Sequence, residues 1–280
     1  MLIGLALLAA VGYGVSDFAG GLASRRVRPL TALLYGHPAG AVLVAALLPL
    51  FPGSLDVASV VFAALAGLAG LLGFVLMYQL MASSPLKVVS PITALLAAAT
   101  PIACGLLSGE HPRATAGLGI AFGLVAIPLI SGSPNGEAAV LHRTKVLLLA
   151  FASGGGFGLY FVLLAHAGGA ASGLWPVMIA RASSTLVIIA IAARPGVVAT
   201  VNRRTGALAA CAGLLDASAD VCFLFATRQG YLSLVSVITA LYPAITVLLA
   251  VSFLRERAGW LPCAGLALSA VSLALIARER

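Results

Sequence analysis

The chain has 280 residues, 61% hydrophobic and 9% charged, with 16 Lys and Arg against 8 Asp and Glu for a formal charge of +8. A soluble domain carries about 25% charged and about 45–50% apolar residues, so this composition cannot cover a water-facing surface, and most of the exterior must face lipid. Disordered, collagen-like and coiled-coil classes are excluded by the same numbers, and the basic residues fall between apolar runs as topology determinants rather than as a nucleic-acid footprint. The four cysteines, Cys104, Cys211, Cys222 and Cys263, lie inside apolar runs without a CxxC pair, as small packing residues rather than a disulfide or zinc framework.

A helix needs about 20 apolar residues to cross about 30 Å of hydrocarbon. Ten segments qualify: 2–23, 31–51, 57–81, 87–108, 114–131, 146–167, 174–193, 207–227, 232–254 and 259–277. They are apolar all round instead of alternating, which predicts helices and not barrel strands. The first segment lacks a basic n-region and is too long for a signal peptide, so it reads as a membrane helix. The links hold Arg, Pro, Gly, Ser and Asn; the break between segments four and five rests on Gly109-Glu110-His111-Pro112-Arg113.

Internal repetition organises the chain. A shift of 146 residues lays Leu86–Glu110 on Leu232–Glu256 with ten of 25 positions identical, including Ser-x-Ile-Thr-Ala-Leu at Ser90 to Leu95 and at Ser236 to Leu241. About two or three matches would follow from composition alone. Each half then holds five helices, over residues 1–133 and 146–280 with a linker at 134–145. An odd number makes the second half enter the membrane from the opposite side, giving an inverted repeat of the kind that builds secondary transporters.

The stretch from Gly230-Tyr231-Leu232-Ser233 through Ala240-Leu241-Tyr242-Pro243 to Arg255-Glu256-Arg257, with its weaker copy ending Gly109-Glu110, resembles the EamA repeat of the drug/metabolite transporter superfamily. Tyr13-Gly14-Val15-Ser16-Asp17-Phe18 resembles the first helix of that family, and the likeness covers essentially the whole chain. It implies an all-α integral membrane protein of ten transmembrane helices in two inverted five-helix repeats, an exporter or permease with a central cavity lined from both halves. The superfamily handles amino acids, sugars, nucleotides and drugs, so the likeness names no substrate. One departure is that Pro243 has Ala97 as its mate, with Pro91 and Pro101 flanking it, which predicts a kink displaced by about a turn.

Ionisable residues inside the segments carry the functional expectation, because a charge at mid-helix costs about 2.5–3.5 kcal/mol on insertion scales. At 1.5 Å per residue, Asp216, Asp220 and Arg181 come out about 15, 21 and 20 Å from one face, near the midplane. Asp216 and Asp220 share a helical face, and Arg181 on the preceding antiparallel helix is their natural partner. One arginine balances one carboxylate, leaving a site to be relieved by a proton or by a cationic substrate, with a buried structural ion pair as the alternative. Asp17 and His37 both lie about 10 Å from the same face, as a relay or gate or as a polar pair holding a helical hairpin. Tyr13, Gln79, Tyr160 and Tyr242 are candidates to line a cavity or gate, and His166 is expected to snorkel at a helix end. Glu110 and Glu256 each precede a new helix and read as caps for its N-terminal dipole. Gly36-x-x-x-Gly40, Gly119-x-x-x-Gly123 and Gly154-x-x-x-Gly158 read as close helix contacts.

No GxxxxGK[ST] phosphate loop occurs and there are two lysines, Lys87 and Lys145, so any driving force must be a gradient. The expected function is transport of a small polar or amphipathic metabolite or drug by alternating access, with protons as coupling ions. The alternatives are a lipid-carrier flippase, a non-transporting membrane subunit and, remotely, an intramembrane aspartyl protease using Asp17 and Asp216. Neither residue stands in the Gly-x-Gly-Asp context of that protease family. No enzymatic activity, cofactor, metal or nucleic acid is expected. The expected partners are a small-molecule substrate and the lipid bilayer, for a monomer or homodimer in the plasma membrane, the inner membrane of a bacterium. Odd-numbered links hold eleven Lys and Arg, while even links and termini hold four, which by the positive-inside rule puts both termini outside. The arrangement usual for the resembled family has both inside.

Overall fold

The computed structural model describes residues 1–83, 86–130, 144–169, 171–194, 201–254 and 260–279. Among these there are eleven α-helices and two short 3₁₀ turns, at Leu48–Leu50 and Ala277–Glu279. In the first half they are α1 (Leu2–Ser24), α2 (Pro29–Leu47), α3 (Val57–Ser83), α4 (Leu86–Leu107) and α5 (Ala114–Ile130). The second half holds α6 (Thr144–Ala167), α7 (Trp175–Ala192), α8 (Arg203–Thr227), α9 (Leu232–Thr239), α10 (Pro243–Leu254) and α11 (Trp260–Ile276). Seven segments are long and apolar enough to cross a membrane, and three shorter apolar helices accompany them. Helices satisfy every backbone group internally, which is what lets such apolar segments lie in lipid. Leu72, Leu107, Leu148, Leu186, Phe253 and Trp260 are among the large side chains exposed on the outside of the bundle.

The ninth predicted segment, 232–254, departs from a single helix. Residues 240–242 form a turn between α9 and α10, because Pro243 has no N–H to continue the ladder. Its mate Ala97 sits inside an unbroken α4, so the kink expected near Pro91 and Pro101 takes the form of a break in one repeat only. Helix α8 starts at Arg203, ahead of the predicted 207, because the Asn202 side chain accepts from Thr205 N at 2.8 Å and caps it.

Glu110 is a cap, but not of the helix that follows it. Its two carboxylate oxygens accept from Leu232 N at 2.6 Å and Ser233 N at 3.0 Å, the first amides of α9 in the other repeat. The end of α4 therefore meets the start of α9, and the two repeat-related segments run in opposite directions, as an inverted repeat requires. Glu256 lies outside the described residues, as does most of the expected linker.

Packing obeys the same exchange. Helix α3 lies on α6 and α1 on α8; α4 lies on α6, while α9 and α10 lie on α1; α2 meets α7, and α5 meets α11. Most of the core is thus built between the repeats rather than within them. The three glycine motifs are used at these joints. A Cβ on Gly40 would stand 2.8 Å from Gly213 O of α8, one on Gly119 3.0 Å from Ser272 O of α11, and one on Gly154 2.8 Å from Thr93 O of α4.

Candidate functional site

Arg181 in α7 is the hub of the buried charges. Its Nη2 donates to Oδ2 of both Asp216 and Asp220, four residues apart on α8, and all three residues are at most 4% exposed. Tyr13 Oη of α1 donates to the other oxygen of Asp220, Oδ1, at 2.6 Å. Alongside, Ser16 Oγ donates to Ala212 O at 2.8 Å and pins α1 against α8. The spacing of the two aspartates sets up the cluster within α8, but only the packing of α1 and α7 supplies the partners.

These groups border a cavity of about 40 Å³, also lined by Asp17, His37, Gly70, Phe74, Tyr160 and Tyr242. That is room for about three water molecules, so this conformation is closed around its centre. The shift that relates the repeats pairs Asp216 with Gly70 and Asp220 with Phe74, and all four line the cavity from α8 and α3. The two repeats thus present one shared site whose acidic pair comes from the second.

Asp17 is 6% exposed, faces the cavity, and has no hydrogen bond or ion pair among the described residues. Nor does it pair with His37: the His37 Nδ1 shares a 3.0 Å hydrogen bond with Ser184 Oγ of α7, which corrects the expected hairpin pair. Asp216 is taken by Arg181, so Asp17 and Asp216 do not form a hydrogen-bonded carboxylate dyad. Gln79 is exposed on α3 and does not line the cavity, because one residue along a helix turns the side chain by about 100°. Its neighbour Tyr78 takes the inward place, with its hydroxyl lodged against Gly20 where a Cβ would collide with it. His166 is exposed in the last turn of α6, its Nδ1 2.8 Å from Val162 O. The four cysteines are free.

Sequence reasoning named Tyr13, Tyr160 and Tyr242 of the aromatic wall but missed its phenylalanines, Phe74, Phe157 and Phe161. Tyr13 and Phe161 have ring centroids 5.7 Å apart, Tyr160 and Phe161 5.4 Å, and Phe74 and Phe157 4.8 Å, mostly edge to face. Apolar rings in an apolar sequence carry no signal by themselves, though the repeat shift from Asp220 would have picked out Phe74. It also missed the clasp at the end of the bundle that bears Met1. There Arg228, just past α8, donates to Gly168 O at 3.1 Å, Ser172 Oγ at 2.8 Å and Gly173 O at 2.6 Å. Ser54 N donates to Ala171 O at 2.9 Å, and the Phe51 and Phe225 rings lie 5.1 Å apart. Gly173, at φ 56°, lets the loop turn under Phe51, where a side chain would meet Phe51 O. Loops from both repeats are thereby tied together at that end of the bundle.

No curated protein matches the chain. A solved crystal structure of a protein has the same fold at a TM-score of 0.68, with 19% identity over 96% of this chain and 98% of its own. The model of the EamA-like transporter family matches twice, over residues 1–132 and 144–278, one match to each half of the bundle. The chain is an integral, multi-pass membrane protein that belongs to the EamA-like transporter family.

Proposed function

We propose that the chain is a secondary transporter of ten spans that moves a small polar or amphipathic solute out of the cell, in exchange for protons, across the inner membrane of a bacterium. The observation that carries this reading is the burial of Asp17, Arg181, Asp216 and Asp220 around one cavity where helices of both repeats meet. Charges so placed are costly in a membrane interior and are kept where ions or substrates bind. Alternating access would release the Arg228 clasp at one end while the opposite end closes. At that opposite end α2 and α8 already touch backbone to backbone at Gly36 and Gly213. With Arg181 shared between Asp216 and Asp220, loading and unloading of a proton on this pair is the simplest coupling step.

The test is solute flux in proteoliposomes with and without an imposed pH gradient. Gradient-driven flux should vanish in Asp220→Asn while exchange of substrate without a gradient persists. Unchanged gradient-driven flux in both Asp216→Asn and Asp220→Asn would reduce the pair to helix packing. Movement of a lipid-linked substrate alone would favour the flippase reading.

A further inference from the structure

The charges around the cavity do not balance, and the imbalance has a location. Arg181 is the one cationic side chain among the described lining residues whose charge is permanent, and it is engaged by both Asp216 and Asp220. Asp17, buried and lining the cavity, has no hydrogen bond or ion pair among the described residues. A buried carboxylate without a counter-charge is unfavourable unless it binds a proton or a cation.

The surroundings of Asp17 distinguish between cations. Tyr13, Phe74, Phe157, Tyr160, Phe161 and Tyr242 line the same cavity. Such a wall offers few oxygen ligands for a hard metal ion, which would need about six or more. Ring faces do attract a large, weakly hydrated cation, and they accept apolar substituents on it. A neutral solute would leave Asp17 to be relieved by a proton alone, and an anion would meet three carboxylates against one guanidinium.

We propose that the solute bound in this cavity, once alternating access opens it beyond the closed form described here, is an organic cation, a substituted ammonium carrying apolar or aromatic groups, whose charge is met by Asp17 and whose body lies among the aromatic rings. This rests on the transporter reading of the cavity. The Arg181, Asp216 and Asp220 cluster is then the neighbouring charged unit that Asp17 senses but does not join.

The experiment uses the full-length protein purified in detergent and three probes of similar size: phenyltrimethylammonium, neutral N,N-dimethylaniline and anionic benzenesulfonate. Binding is measured by calorimetry at neutral pH. The cation should bind at least tenfold more tightly than the other two. Asp17→Asn should lose that preference, and Asp17→Glu should keep part of it. Failure of the cation to bind, equal binding of all three probes, or a full preference retained in a folded Asp17→Asn variant would overturn the inference. If Asp17→Asn does not fold, the three-probe comparison on the unaltered protein still decides. Flux of a neutral or anionic solute in proteoliposomes, without cation binding, would sink this inference and leave the transporter reading standing. Tight cation binding without flux would do the reverse.

Discussion

At the scale of single residues, the decisive feature is one guanidinium serving two buried carboxylates. Arg181→Ala would leave Asp216 and Asp220 buried without a counter-charge, and it should destabilise the protein by about 3–5 kcal/mol unless they take up protons. A melting curve checks this. Adding Asp216→Asn and Asp220→Asn to Arg181→Ala should recover most of the loss, because the unpaired charges are then gone. If the triple variant is as unstable as the single one, the damage comes from lost packing of the arginine stem instead. The Tyr13 hydroxyl on Asp220 extends the cluster to α1, so the first helix is tied chemically as well as sterically to α8. The residues legible in sequence were the charged ones, since each is expensive in an apolar segment. The pairing of Arg181 with Asp216 and Asp220 was legible as well, from their matched depth, but the partners of His37 and Glu110 were not. His37 goes to Ser184 and Glu110 to Leu232 and Ser233, pairings 147, 122 and 123 residues apart in the chain.

At the scale of elements, the break between α9 and α10 sets the second repeat apart from the first. The turn places Tyr242 at the cavity wall, and Thr246 Oγ1 just beyond it donates to Gly14 O at 3.1 Å. Gly14 is needed for this approach, because a Cβ there would stand 2.6 Å from Tyr242 O. Pro243→Ala supplies the missing N–H and should let α9 run into α10 as α4 runs through Ala97. Protection of the amides around 240–243 from hydrogen exchange should rise, and solute flux should fall as Tyr242 leaves its place. Unchanged exchange at those amides would show that packing on α1, and not the proline, holds the break. The cap on α9 is separable from this. Glu110→Ala removes two charge-assisted bonds and should cost about 1–3 kcal/mol locally, read as faster exchange of the Leu232 and Ser233 amides. Equal exchange in the variant would mean that water caps the helix as well as Glu110 does.

At the scale of the whole molecule, the inverted repeat explains why the cavity around Arg181 is central. Each main helix contact has a mate under exchange of the halves, so the region where the repeats face each other is enclosed by elements of both. The asymmetry is chemical: Gly70 and Phe74 stand where the second repeat has Asp216 and Asp220. Helix directions also sort the charges by end. Arg25, Arg26, Arg28, Arg194, Arg203 and Arg204 lie at the end opposite Met1, whereas Arg113 and Arg228 lie at the end that bears it. The positive-inside rule then predicts that both termini face outward. An alkaline phosphatase fused after Arg280 should be active and a fluorescent protein at the same place dark. Cytoplasmic fluorescence would show that the charge bias does not set the orientation.

The sequence by itself determined the helical membrane class, the places of the helices to within a few residues, and the two antiparallel halves, because apolar length and a 146-residue self-match are properties read along one chain. It also singled out Asp17, His37, Arg181, Asp216 and Asp220, all buried, because an ionisable group deep in such a segment is costly. The tertiary structure alone decided that one Arg181 nitrogen serves both aspartates of α8, and that Asp17 has no hydrogen bond or ion pair among the described residues. It likewise decided that Tyr78 turns inward and Gln79 outward, and that Arg228 braces the 168–173 loop to which Ser54 of the other half is bonded. Those outcomes depend on the rotation of each helix about its axis and on contacts between residues far apart in the chain. In helices apolar on every side no hydrophobic face records that rotation, so it is fixed only when the small residues of one repeat meet the backbone of the other.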